Sequence, residues 1–413
     1  MSEDFTRHVL TLFSGTLVAQ LLPIAITPIL TRIYSPEEFG LMAVFLAITM
    51  TFGSVACGRY EIAILKPKKD SEAYQLASLC ILVSTIFCLF LFLILSLFNI
   101  QVVESLKLKG IGLYLYFIPL VVWLMSIFNV FNYLCTRQKK YGVISKSKVL
   151  KSLALSISQI ALGYTAVVSN GLLSGVIISH FFGNIKMLRS VKVTELLTFD
   201  YLKVKNLAKR YHDFPKYSLP AILANNLSNN LVTLVLPTIY GIATVGYYSL
   251  ANRLLGLPTT LIGNSVGQVL YQKSVETIDK EGDLNELLKF AIKRLLFLSV
   301  VIFFPLYFII EPLFVFIFGN GWEVAGKICK LLIPMYAFRL IGMSISLVNS
   351  ACDKQKISLI WQVILLASNS VVVISSFFYE VDIILLVTQL SIINIVNYSV
   401  LIYLVFQVSK GKI

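Results

Sequence analysis

Three arginines stand inside apolar stretches of this chain, where a charge is costly unless it has a use. Arg339 lies near the middle of ICKLLIPMYAFRLIGMSISLV. A central arginine costs about 2.5 kcal/mol or more on insertion scales. It therefore points to a polar cavity that binds an anionic group, or to a structural ion pair. Arg253, in YYSLANRLLGLP, enters its stretch by about 10 Å at 1.5 Å per residue. It suits the same anion-binding role, or it snorkels to the boundary. Arg59 and Glu61 share CGRYEIAILKPKKD, near the inner end of a second apolar stretch. Residues two apart on a helix face away from one another, so no mutual pair is expected. Arg59 is then a third candidate cation, or both are interfacial anchors. Apolar neighbours favour a protonated Glu61, which suits proton coupling, as they also suit a passive ion-pair partner.

His180, in GVIISHFFGNI, is either a proton relay or a hydrogen-bonded packing residue. Asn225, Asn226, Asn229 and Asn230 form two i,i+4 pairs, so that Asn226 and Asn230 either contact a polar ligand or bond neighbouring helices. Pro23, Pro28 and Pro220 are expected to kink their helices. No nucleophile–base constellation occurs, nor GxSxG, HExxH, P-loop or GxGxxG in a suitable context. Neither enzyme chemistry nor a cofactor is expected. The six cysteines have no CxxC spacing and read as buried free thiols without a metal.

The elements that must position these residues are membrane helices. The 413 residues are 57% hydrophobic and 14% charged, with mean hydropathy +0.82. A soluble chain carries about a quarter charged residues, and a span needs about 20 mostly apolar ones. Apolar runs predict about twelve spans: 9–33, 39–65, 73–98, 111–134, 149–168, 171–187, 215–240, 246–270, 291–310, 326–350, 357–378 and 383–405. The first has no small-residue cleavage site after it and reads as a span, not a signal peptide. The expected fold is all-α and polytopic, in two six-helix bundles at 1–190 and 215–413, joined by a cytoplasmic linker helix at 191–214.

Lysine and arginine placement orients the spans. With the N-terminus cytoplasmic, 27 of the 35 fall inside and 5 outside. The positive-inside rule then puts both termini in the cytoplasm. The bias also accounts for the net charge of +14 without nucleic acid, since basic loops face anionic lipid headgroups. Segments 194–214 and 283–296 have the spacing of surface helices, or are solvated linkers. A faint repeat supports two halves: Ile33-Tyr34 precedes Gly40 at the spacing by which Ile239-Tyr240 precedes Gly246.

Five stretches carry a resemblance. LFSGTLVAQLLPIAITPILTRIYSPEEFGLMAVF (12–45) with GRYEIAILKPKKDSEA (58–73) resembles the N-terminal third of the Wzx-type polysaccharide flippases. AKRYHDFPKYSLPAILANNLSNNLV (208–232) resembles their central joint. VGYYSLANRLLGLPTTLIGNSVGQVLYQKSVE (245–276) and FGNGWEVAGKICKLLIPMYAFRLIGMS (318–344) resemble their second half. The match is specific for the family and not for the sugar.

The resemblance implies the fold of the multidrug/oligosaccharidyl-lipid/polysaccharide exporter superfamily, with two bundles around a cationic cavity. It implies transfer of an undecaprenyl-diphosphate-linked oligosaccharide across a bacterial inner membrane for O-antigen, lipopolysaccharide or a related surface polysaccharide. H+ or Na+ antiport and cooperation with polysaccharide polymerase machinery are further implications. The alternative is a cation-coupled multidrug exporter of the same fold, which would favour acidic cavity residues. A membrane polymerase or acyltransferase would need a long outer loop, and none is expected here.

The charge bias yields a direct test of orientation. Periplasmic thiol labelling in intact cells should reach Lys107→Cys and miss Lys140→Cys; the reverse pattern would invert every depth argument above.

Overall fold

The computed structural model describes residues 3–108, 110–165, 167–198, 200–279, 284–352 and 354–410. Lys109, Lys280 and Lys412, counted in the charge bias, lie outside the described residues, as does Asp283 at the head of the 283–296 segment. In chain order the helices are α1 (Glu3–Ala25), α2 (Thr27–Ile33), α3 (Pro36–Gly53), α4 (Tyr60–Ala63), α5 (Asp70–Ser105), α6 (Gly112–Leu115), α7 (Ile118–Arg137), α8 (Tyr141–Thr165) and α9 (Gly171–Leu188). There follow α10 (Val193–Leu197), α11 (Tyr201–Arg210), a π-helical turn (Phe214–Ser218), α12 (Leu219–Tyr240), α13 (Ile242–Asp279) and α14 (Leu284–Phe318). A 3-10 turn (Asn320–Trp322), α15 (Glu323–Ile345), α16 (Val348–Ala351), α17 (Gln355–Phe378) and α18 (Ile383–Ser409) complete the chain.

No strand occurs among the described residues, and the fold is all-α and polytopic. Among the described residues, nine helical segments are long and apolar enough to cross a membrane. Three more long helices, α3, α8 and α13, have 18, 25 and 38 residues.

Local chemistry sets the helix ends. The connections predicted to be shortest each end on a polar N-cap, which satisfies an N–H that lipid could not. Ser35 and Glu38 form a capping box behind Pro36. Asn170 accepts from Leu173 N at 3.1 Å, and Asp382 from Ile384 N at 3.0 Å. The first span breaks at Ile26, between Pro23 and Pro28, because Pro28 brings no N–H to the ladder. There the Thr27 hydroxyl donates to the Pro23 carbonyl at 2.8 Å.

The chain divides into two compact units, residues 1–230 with 241–245, and residues 231–240 with 246–413. In the first, α8 packs on α1 and α9, and α7 packs on α5, α3 and α9. Gly15 makes the α1–α8 contact possible: an added Cβ would meet Ser145 Oγ at 1.7 Å. In the second, α15 packs on α14 and α18, and α17 on α18. The repeat seen in the sequence has a structural counterpart. Tyr34, at the end of the first span, donates its hydroxyl to the Gln159 carbonyl of α8 at 2.6 Å. Tyr240, at the end of α12, donates to the Val381 carbonyl just after α17.

Three expectations change. The run 39–65 is not one helix: α3 stops at Gly53, and a series of turns leads to α4. Segment 283–296 is no separate surface helix, because from Leu284 it continues unbroken into α14. Segment 194–214 is α10 and α11, not one helix. Its Leu196, Val204, Leu207 and Tyr211 are buried in a core with Ala73, Tyr74 and Ala77 of α5. Much of its apolar surface is thus spent on protein, while Tyr201 and Leu202 stay exposed. Gln75 and Ser78 of α5 fasten it further by bonds to the backbone of Thr198 and Leu196.

Candidate functional site

The charged candidates fall into separate groups. The first is the elbow between α3 and α5. Gly58 and Arg59 both have positive φ, +62° and +64°. Glycine adopts that region freely, whereas an arginine costs about 1–2 kcal/mol there. The strain aims the Arg59 side chain back across the turn. Its Nη1 lies 3.2 Å from Glu61 Oε1, and its Nε donates to Ser218 Oγ at 3.3 Å. The expectation that Arg59 and Glu61 would not pair is thereby corrected. It assumed a continuous helix, and the left-handed turn removes that geometry. Glu61 is 4% exposed, and its Oε2 has no hydrogen-bond partner.

Arg137, which figured in the sequence only as a loop charge, clamps the far side of this elbow. It donates to Asp70 Oδ1 at 2.8 Å and to the Pro67 carbonyl at 2.7 Å. Lys66 caps the same region by resting over the Phe214 ring at 4.7 Å. No short motif announces this arrangement, because its members are far apart in sequence.

The second group lies on α13, α15 and α18 of the second unit. The Arg339 guanidinium is 5.3 Å from the Tyr336 ring, and its Nε is buried without a hydrogen-bond partner. The phenols of Tyr398, Tyr336 and Tyr248 lie within its electrostatic range. Tyr336 donates to Asn252 Oδ1 at 2.8 Å, and the Tyr398 ring lies 5.5 Å from Trp361. Among the described residues no carboxylate stands within salt-bridge distance of Arg339 or of Arg253. Both are partly accessible. The tyrosines were missed in the sequence, although Tyr336 lies one helical turn from Arg339.

The asparagines of α12 differ among themselves. Asn229 bonds the Asn225 side chain at 2.6 Å, and Asn230 bonds the Asn226 carbonyl at 2.9 Å. The Asn226 amide is left without a protein partner among the described residues. His180 is 4% exposed on α9, with Nδ1 unpartnered, in range of the Lys151 ammonium. Lys146 and Lys148 precede the predicted span 149–168 and Lys151 lies at its start, but all three stand on α8, which begins at Tyr141. No group of three or more metal-ligating side chains is found among the described residues.

The long apolar helices define a multi-pass membrane protein. The model of the family described as polysaccharide biosynthesis protein matches residues 29–327, and the chain belongs to that family. A comparison with curated proteins gave no match.

Solved structures agree on the fold. The lipid II flippase MurJ, in an inward closed conformation, aligns with a TM-score of 0.77 at 16% identity, over 97% of this chain and 90% of that one. A multidrug resistance MATE family transporter of the MOP superfamily, in an inward-facing conformation, aligns with a TM-score of 0.68 at 15% identity, over 100% and 95%. The Vibrio cholerae MATE transporter VcmN in its bent form gives a TM-score of 0.63 at 15%, over 100% and 99%. The superfamily that the sequence resembled is thus the one whose fold the chain has.

The elbow makes a specific energetic prediction. Arg59→Ala strips a buried carboxylate of its partner and should destabilise the protein by about 3–5 kcal/mol. Adding Glu61→Gln should restore most of the loss. Thermal midpoints of purified protein in detergent read both, and equal loss in the single and double variants would show that the pair is not the cause.

Proposed function

We propose that this protein is a flippase that moves undecaprenyl-diphosphate-linked oligosaccharide repeat units from the inner to the outer leaflet of a bacterial inner membrane. The product would serve O-antigen or a related surface polysaccharide, and both termini would be cytoplasmic. The observation that carries the reading is that Arg253 and Arg339 each stand in a long helix with no carboxylate partner among the described residues. Membership of the polysaccharide biosynthesis family and a fold shared with a lipid II flippase support it.

The physics of the task asks for such residues. A diphosphate and several sugars cannot cross hydrocarbon bare, because desolvating each charge costs several kcal/mol or more. Guanidinium groups replace the lost water, with planar donor forks that match phosphate oxygens. The prenyl chain needs no such help and stays in lipid. Arg59 is a third phosphate ligand in this scheme, while Asn226 and Asn230 offer amide groups to sugar hydroxyls. The unpartnered Glu61 Oε2 is the place for H+ or Na+ to act, since a cation there would compete with Arg59 for the carboxylate. His180 is a second candidate for proton coupling in this scheme. A cation-coupled drug exporter of the same fold would hold carboxylates where this chain holds Arg253 and Arg339.

Arg339 supplies the test. Arg339→Ala should lower surface polysaccharide about tenfold or more in a strain lacking the native gene, with membrane abundance unchanged. Tenfold corresponds to about 1.4 kcal/mol of lost binding. Arg339→Lys should recover only a small part, because an ammonium is a point charge without the fork. Normal polysaccharide from Arg339→Ala at normal abundance would remove Arg339 from the substrate path.

A further inference from the structure

The first unit holds another group of buried polar atoms, on α7, α8 and α9. Lys151 of α8 lays its stem against Gly183 of α9, where an added Cβ would sit 3.1 Å from the lysine Cβ and 3.2 Å from its Cδ. Glycine there is what lets so long a side chain run between two packed helices. The ammonium reaches the Phe128 ring of α7, 5.5 Å from its centre. Lys151 is partly accessible, so a small solute can approach it.

What Lys151 lacks is a counter-charge. Among the described residues no carboxylate lies within salt-bridge distance of it. The deficit is written into the sequence: residues 118–137, 141–165 and 171–188 contain no Asp or Glu, and neither do 11–25 and 27–33 of the neighbouring α1 and α2. A cation beside an aromatic ring is only weakly compensated. Lys148, one turn earlier, has a different solution, donating to Thr16 Oγ1 of α1 at 3.2 Å.

Four more buried atoms on these helices have no partner: Ser147 Oγ, Ser156 Oγ, His180 Nδ1 and Asn184 Oδ1. Ser147 precedes Lys151 by four residues and shares its helix face. His180 is within electrostatic range of the ammonium. Asn184 follows His180 by four residues and is fixed by its amide nitrogen, which donates to the carbonyls of Leu124 and His180 at 2.9 Å each. Buried polar atoms left open in a group call for a ligand or ordered water. With a full positive charge among them, the group calls for a negative ligand.

We propose that Lys151, Ser147 and His180 form a binding site for a small inorganic anion among α7, α8 and α9. Lys151 supplies the charge. The Ser147 hydroxyl and a proton on His180 Nδ1 supply directed donors, and Asn184 Oδ1 accepts from the ammonium or from an attendant water. The site is distinct from the arginines assigned to the substrate and stands or falls without them.

Chloride is the probe. The thermal midpoint of purified protein in detergent is measured as gluconate is replaced by chloride at constant ionic strength. The wild type should rise to a plateau. Lys151→Met should be flat, with a midpoint in gluconate at or above that of the wild type, because the uncompensated charge is gone. Lys151→Arg and Lys148→Met should keep the response, and Ser147→Ala should shift its half-saturation several-fold. No saturable response in the wild type, or an unchanged one in Lys151→Met, overturns the site. So does a midpoint that answers to undecaprenyl phosphate and not to chloride. If Lys151→Met is not monodisperse, Ser147→Ala decides, and an unshifted half-saturation counts against the proposal.

Discussion

A guanidinium held in an apolar helix without a carboxylate is the constraint on which the second unit depends. The surroundings of Arg339 are what such a group needs if it is to remain available. Tyr336 gives its ring face, and Tyr248 and Tyr398 give phenols. These are dipoles and quadrupoles, not charges, so they soften the cost of burial without cancelling the cation. A carboxylate in their place would have satisfied the arginine and closed it to an outside anion. The buried Nε without a partner shows how incomplete the compensation is.

The first unit treats its charges differently. At the elbow, Arg59 is matched by Glu61 and Ser218, and a left-handed backbone is the cost of bringing them together. Arg137 fixes the segment that follows, through the Asp70 carboxylate and the carbonyls of Ile64, Pro67 and Lys68. Strain concentrated in a short turn between two long helices, next to an incompletely bonded carboxylate, is the pattern expected of a functional element. The π-helical turn at Phe214–Ser218, which receives the Arg59 bond, is a second irregularity at the same place. Away from the elbow, Lys151 is left uncompensated on a helix whose other face is spent on serines and Gln159.

The helices were legible because lipid imposes a simple rule on backbone and side chain alike. Run lengths gave the long elements and the short gaps between them. Tyr34 and Tyr240 were visible as a repeat, although their shared role as clamps required the fold. The misreadings have physical causes. The Arg59–Glu61 pair depends on a φ that only Gly58 hinted at. Lys146 and Lys148 looked like loop charges because α8 begins earlier than its apolar run. Segment 194–214 has the amphipathic spacing of a surface helix, but much of its apolar surface meets α5, and spacing alone does not name the partner. The tyrosines around Arg339 come from three helices, and no local pattern connects them.

Purified protein reconstituted into vesicles with a fluorescent undecaprenyl-diphosphate-linked oligosaccharide measures the central claim most directly. Loss of headgroup signal to an impermeant quencher or glycosidase reports which leaflet holds the lipid. The account predicts that protein-containing vesicles bring most of the inner-leaflet lipid into reach, with little movement in protein-free vesicles and slower movement when inorganic diphosphate competes. Headgroup exposure no faster than in protein-free vesicles, alongside gradient-driven movement of a cationic dye, would contradict the anionic-lipid reading and favour a cation exporter.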